Sequence, residues 1–205
     1  MDFTSLATEQ IVDKTVGALT AKKYQVISVK GKAEALDTIK KLIPPGASVM
    51  NGASVTLEQI GFVEYLKAGE HGWNNLHEAI VAEKDPAKQA DLRKKSVLSE
   101  YYLGSVHALA ENGEFIIASN SGSQLPHIVF TSPNLIFVIS TKKIVPDLGT
   151  AMKRLEEHVI PLEDKHMQEK YGVHTSSNKI VIFKNENPMM GRKVHIVLVE
   201  EDLGF

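Results

Sequence analysis

Two short runs of small polar residues are the places where this chain could hold a ligand. The first is Asn51-Gly52-Ala53-Ser54, with Thr56 two residues on, lying between an apolar run and a helical pattern. A flexible glycine and small neighbours in a strand-to-helix turn let backbone N–H groups converge on an anion, and the Ser54 and Thr56 hydroxyls add donors. Ser54 equally suits the simpler role of helix N-cap. The second run is Ser119-Asn120-Ser121-Gly122-Ser123-Gln124, six small or amide residues with many hydrogen-bonding groups and little bulk. A solvated turn chosen for backbone freedom would have the same composition. Neither run has the GxGxxG or GxxxxGK(S/T) spacing, so neither a dinucleotide nor a nucleoside triphosphate is specified.

Other candidates are single residues. Glu111 stands in Ala110-Glu111-Asn112-Gly113, a tight turn between apolar runs, where a partly desolvated carboxylate would serve as base or covalent nucleophile. An exposed hairpin glutamate is the plainer reading. Ser105 and His107 flank Val106, so in a strand they share a face and would meet a ligand together, or lie as polar residues under a helix. His107 and His174 are kept as site candidates because imidazole exchanges protons near neutral pH. His71, His77, His158 and His166 sit in polar surroundings and read as surface. The pairs Lys142-Lys143 and Arg192-Lys193 would suit a carboxylate or phosphate, although such pairs more often mark a solvated face. The eight histidines fall into no HExxH or similar spacing, so no metal site is expected, and no GxSxG elbow supports a serine hydrolase.

Composition narrows the chemistry further. With 43% hydrophobic and 23% charged residues in 205, the chain can bury a sizeable core, and one domain is expected across its length. A net charge of -2 gives no global attraction to nucleic acid or an anionic membrane, so an anion site must be local. Zero cysteines remove disulfides, cysteine-ligated zinc, iron-sulfur ligation and thiol nucleophiles. Redox chemistry would need a borrowed cofactor. No apolar run approaches the roughly 20 residues of a membrane span, and a cytoplasmic location is the default expectation.

The elements that must position these residues follow from periodicity. Apolar residues at helical spacing predict a helix over 4–22, then a strand over 24–29, a helix over 33–42 ended by Pro44-Pro45-Gly46, a strand over 47–50 and a helix over 55–67. A solvated helix is predicted over 85–95, with Pro86 in its first turn and Lys94 and Lys95 near its end. Strands are predicted over 101–110, 114–118 and 135–140, the first two forming a hairpin through Asn112-Gly113. Helices over 147–157, capped by Asp147, and 162–171 precede two last strands at 179–183 and 194–199 that close the chain. This alternation predicts an α/β fold, a mostly parallel sheet with helices on both faces. Its ligands belong at the carboxyl edge of the strands.

Three blocks together resemble the LUD domain, the family of lactate-utilisation protein C and its relatives. They are Gly52-Ala53-Ser54-Val55-Thr56-Leu57, Gly104-Ser105-Val106-His107-Ala108-Leu109-Ala110-Glu111-Asn112-Gly113 and Lys143-Ile144-Val145-Pro146-Asp147-Leu148. The resemblance spans roughly residues 10–160 in order and spacing, and the tail from Val173-His174-Thr175-Ser176 through Gly191-Arg192-Lys193-Val194-His195 resembles a subgroup's C-terminal β-hairpin, which implies a hairpin within 173–205. It implies a fold like that of the ribose-phosphate isomerase, glucosamine-phosphate deaminase and CoA-transferase group. The family's Asp-Gly-x-Gly-Asn-Arg loop is here Asn120-Ser121-Gly122-Ser123-Gln124-Leu125, which removes its acidic and arginine side chains. Glu111-Asn112-Gly113 also resembles the segment whose glutamate accepts the acyl group in one class of CoA-transferases.

Three functional expectations follow. The resemblance implies a component of L-lactate oxidation to pyruvate that works beside partner subunits carrying flavin or iron-sulfur centres. The alternatives are an independent enzyme on a small anionic or CoA-linked substrate, with Glu111 as nucleophile or base, and a non-catalytic ligand-binding or scaffold subunit. No intrinsic cofactor is expected, a homo-oligomer is compatible with all three, and CoA or another small anion is the expected ligand.

Overall fold

In the computed structural model, which describes residues 2–205, the strands are β1 (Gln25–Val29), β2 (Ser48–Asn51), β3 (Asn74–Asn75), β4 (Tyr101–Gly104), β5 (Ala108–Ala110), β6 (Phe115–Ser119), β7 (Asn134–Ser140), β8 (Ile144–Val145), β9 (Lys179–Phe183) and β10 (Lys193–Val199). The α-helices are α1 (Glu9–Ala21), α2 (Lys32–Leu42), α3 (Val55–Gln59), α4 (Phe62–Ala68), α5 (Leu76–Ala82), α6 (Pro86–Lys95), α7 (Leu148–Arg154) and α8 (Ile160–Tyr171).

Six strands form one sheet in the order β1-β10-β7-β4-β2-β3, with every neighbouring pair parallel. Its centre is a near-continuous apolar pair of strands, as a sheet covered on both faces requires. In β7, Leu135, Phe137 and Ile139 enter one core while Ile136 and Val138 enter the other. In β10 the same alternation sends Ile196 and Leu198 to one side and Val197 and Val199 to the other. The period of two thus assigns each side chain to a layer. One face is covered by α2, α3 and α4 through Ile39, Leu57, Phe62 and Leu66. The other meets α1 and a second sheet, with Phe115 packed edge-on to Phe137 at 5.5 Å.

This second, four-stranded sheet, in the order β8-β5-β6-β9, is mixed. Its outer face, with Ala108, Ile116 and Val145, packs on Ala151, Leu155 and Val159. Helices therefore flank the molecule on both sides, with a sheet interposed on one. The helices over 147–157 and 162–171 form one rod, in which a widened π turn at Leu155–Val159 joins α7 to α8. Pro161 lacks the N–H that an unbroken α-helix would use, and the wider turn lies directly before it.

Several elements differ from the periodicity reading. The first helix begins at Glu9, and the helix expected over 55–67 is split at Gly61, whose φ of 80° only glycine adopts freely. The C-terminal hairpin does not form. β9 pairs with β6 in the small sheet, whereas β10 runs parallel between β1 and β7. Two apolar runs with a polar turn between them carry the local signature of a hairpin, but the open place at the centre of the parallel sheet takes the second run. The run over 101–110 breaks after Gly104, and its halves join different sheets. As expected, α6 is solvated, with Pro86 in its first turn and no buried residue.

The side chain of Asp147 caps α7, accepting the Thr150 N–H at 2.7 Å. Asp147→Ala is expected to cost about 1 kcal/mol, seen as a lower urea midpoint with an unchanged slope.

Candidate functional site

The carboxyl ends of β2, β4 and β7 lie side by side, because these strands are parallel neighbours. From β2 the chain leaves through residues 51–54, from β4 through Ser105, Val106 and His107, and from β7 through the tight turn Thr141–Lys143. The loop after β6 closes the same edge, and together they bound a cleft of about 610 Å³. Asn51, Gly52, Ala53, Ser54, Thr56, Ser105 and His107 line it, as do Asn120, Ser121, Ser123 and Gln124. The two polar runs therefore face one space.

Gly52 is where these runs meet. A Cβ there would collide with the Tyr102 hydroxyl and lie 2.6 Å from Gln124 Oε1. Tyr102 donates to Gln124 Oε1 at 3.0 Å, and Gln124 Nε2 donates to Ala118 O at 3.1 Å, which ties the second loop to β4 and β6. Ser54 caps α3 by accepting the Leu57 N–H while also lining the cleft, so its two readings coexist. Asn51 is buried, and its Oδ1 has no partner among the described residues.

Two expected residues lie elsewhere. Gly122 is absent from the cleft wall; its φ of 85° shapes the turn, and a Cβ there would strike Lys179. Glu111 sits on the β5–β6 turn, 15% exposed, with Lys14 of α1 at 2.7 Å from its Oε2, and it does not line the cleft. The short β5 carries Glu111 from the crossing to the far end of the small sheet, away from the two polar loops. His174 reaches the rim, where it meets Asp164 at 3.0 Å.

The residue that periodicity did not single out is Lys143, 4% exposed at the cleft. Its Nζ donates to Ser105 Oγ at 3.0 Å, Thr56 Oγ1 at 3.1 Å and Val106 O at 3.2 Å. Gly204 crowds it from the C-terminal segment, since a Cβ there would lie 2.8 Å from Nζ. Lys142, in the same tight turn, points away and pairs with Asp202. Two adjacent lysines after a strand read as a solvated pair, yet both are buried. The available signal was Lys143 opening the third family-like block.

Burial pushes the Lys143 amine down to about 7, helped by Arg154 and then Lys142 nearby. His107 is pushed down to about 3 by burial, then by Lys143 and Arg154, so it stays neutral. Its Nδ1 accepts the Ala118 N–H at 3.1 Å, which places the ring proton on Nε2. Around the wall, Glu58 pairs with Lys170 at 3.0 Å and Glu163 with His166 at 3.5 Å. Among the described residues, the cleft holds two basic side chains, Lys143 and Arg93, that have no carboxylate partner. It can bind and orient a small organic anion.

The remaining basic and histidine candidates are structural or peripheral. Arg192 is bound to the carbonyls of His127, Ile128 and Ser132 and to Glu186, bracing a π turn at His127–Thr131. His77 and His166, read as surface residues, both line the cleft. Among the described residues no cluster could hold a metal ion, and no helix is long and apolar enough to cross a membrane.

A parallel sheet covered on both faces, with polar loops gathered at its carboxyl edge, defines an α/β protein. The LUD-domain family model matches residues 12–199, and the chain belongs to this family. A crystal structure of a DUF162 family protein from Deinococcus radiodurans is similar, with a TM-score of 0.58 and 11% identity over 95% of this chain and 99% of that one. At that identity the likeness speaks for the fold alone. No curated protein matches.

Lys143 gives stability a pH signature. Its folded value near 7 lies below the ordinary lysine value of 10.5, so between these pH values the unfolded chain binds more protons. Its contribution to stability therefore rises with pH through that window, by up to about 1.4 kcal/mol per pH unit. The cost of burying its charge is fully present below pH 7. Lys143→Met is expected to remove this rise, measured as the difference between wild-type and variant urea unfolding from pH 6 to 10.

Proposed function

We propose that this chain is a LUD-domain component of L-lactate utilisation that holds a small organic acid in its cleft beside partner subunits carrying flavin or iron-sulfur centres. The observation that supports it best is Lys143, a buried cation whose neighbours are two hydroxyls and a carbonyl, with no carboxylate among the described residues. A buried ammonium without a counter-ion is costly, and a carboxylate ligand supplies one. A 2-hydroxy acid would place its carboxylate toward Lys143 and its hydroxyl among Asn51, Ser105 and the His107 Nε2–H. The absence of cysteine fits that division of labour, since the chain lacks the thiolates that hold clusters. LUD membership supports the choice of pathway.

The cleft's volume favours a second reading. At about 610 Å³ it exceeds what a three-carbon acid fills and falls within the range of larger ligands. A CoA-linked acid would use the same lysine for its acyl end and the rim for the remainder. Glu111, outside the cleft, takes no part in either reading.

Calorimetric titration with L-lactate, pyruvate and acetyl-CoA tests both. The acid that binds is expected to lose about 10- to 100-fold in affinity in Lys143→Met, the scale of one charged hydrogen bond. Because the anion requires the ammonium form, wild-type affinity should fall about tenfold per unit above pH 7, with a proton taken up on binding. Acetyl-CoA binding much more tightly than either acid selects the second reading. No heat and no rise in melting temperature with any of the three at millimolar concentration would sink both.

A further inference from the structure

An anion site needs only a cation, but the cage around Lys143 suits both protonation states of an amine. Val106 O is an obligate acceptor, whereas Thr56 and Ser105 present hydroxyls that either accept or donate. As an ammonium, Nζ donates to all three. As a neutral amine it donates twice, and one hydroxyl turns round to donate to the lone pair. Proton loss therefore leaves no buried group unsatisfied. Lys142, one residue earlier, is tied to Asp202 and the Gly204 carbonyl and has no such freedom.

His107 is the second part. It lines the same cleft, its Nδ1 is occupied by the Ala118 N–H, and its proton is confined to Nε2. A neutral imidazole fixed in one tautomer donates to a carbonyl oxygen as that oxygen gains charge. The charged groups nearest Lys143 are Arg154 and Lys142, both basic, which favour the unprotonated amine.

We propose that Lys143 is a nucleophile that captures a small 2-oxo acid in the cleft as an imine. The assignment deepens the anion-site reading and rests on it for the capture of the substrate's carboxylate. The carbonyl is what the amine requires. In the step itself the Nζ lone pair forms a bond to the carbonyl carbon while the carbonyl π pair moves to oxygen. One amine proton passes to that oxygen, giving the carbinolamine. The C–O bond then breaks, the oxygen leaves as water with the second amine proton, and the nitrogen lone pair closes the C=N bond. Amine and ketone give imine and water, and no oxidant or reductant is consumed. The crowding of Gly52 by Tyr102 and Gln124, and of Lys143 by Gly204, keeps the reacting end small.

The test is reductive trapping of the whole chain with pyruvate and cyanoborohydride, followed by peptide mapping, alongside thermal shifts with pyruvate and L-lactate. One reduced pyruvate adduct per chain is expected at Lys143, formed about tenfold or more faster than at exposed lysines. Its rate should rise with pH around 7 and fall when L-lactate competes. Lys143→Arg, which has no primary amine, should lose that adduct. If pyruvate raises the melting temperature but Lys143 stays unmodified, the imine is overturned and the anion site stands. If Lys143 is labelled equally by pyruvate and by neutral propanal, with no effect of L-lactate, the nucleophile stands and the anion reading falls. Neither binding nor labelling overturns both. The wild-type map alone decides the nucleophile, so a poorly folding variant leaves the test intact.

Discussion

A chain that leaves one sheet and enters another must satisfy the backbone groups it frees at the crossing, and much of this molecule is arranged around one such crossing. Between Gly104 and Ala108 the chain passes from the parallel sheet to the small mixed sheet in three residues. The carbonyls of Val106 and His107 lose their ladder partners there, in a place that water does not reach freely. Two cations take them: Lys143 Nζ donates to Val106 O, and Arg154 Nη1 donates to His107 O. The His107 N–H is returned to the small sheet through Ile116 O. A topological necessity has drawn two buried cations to the carboxyl edge of the large sheet.

The electrostatics of the cleft follow from that solution. A carboxylate partner would have satisfied Lys143 at lower cost, but backbone carbonyls and hydroxyls carry no net charge. The lysine therefore keeps its field, lowers the basicity of His107 and is itself affected by Arg154. Arg154 is fully buried, with Nε and Nη2 unpaired among the described residues, so this part of the molecule carries unbalanced positive charge on both sides of the crossing. That imbalance costs stability.

What the sequence displayed, and what it concealed, divides along a physical line. Features set by local chemistry were legible: the turn at Gly52, the Ser54 and Asp147 caps, the apolar centre of the parallel sheet, and the six-residue polar loop that meets the first turn at one edge. Features set by long-range placement were not. The run from Tyr101 to Ala110 reads as one strand because Ser105 and His107 alternate with apolar residues, and nothing local marks the change of sheet after Gly104. The last two strands look like a hairpin because a hairpin is the cheapest local pairing, and only the open place between β1 and β7 overrides it. Lys143 looked solvated because burial of a lysine depends on carbonyls exposed nearly forty residues earlier in the chain. Glu111 was attractive for its turn, yet a turn motif carries no information about which end of a sheet it occupies.

The position of β10 has a consequence for how the molecule comes into being. β1 has β10 as its neighbour in the parallel sheet, with Gln25 opposite His195. While the chain is being synthesised from its amino end, β1 waits for that neighbour through the emergence of all the intervening strands, and β7 keeps one edge bare. Pairings so distant in sequence form slowly, and open apolar edges invite association with other chains. Closure of the parallel sheet therefore waits until residues 193–199 have emerged, after every other strand of that sheet.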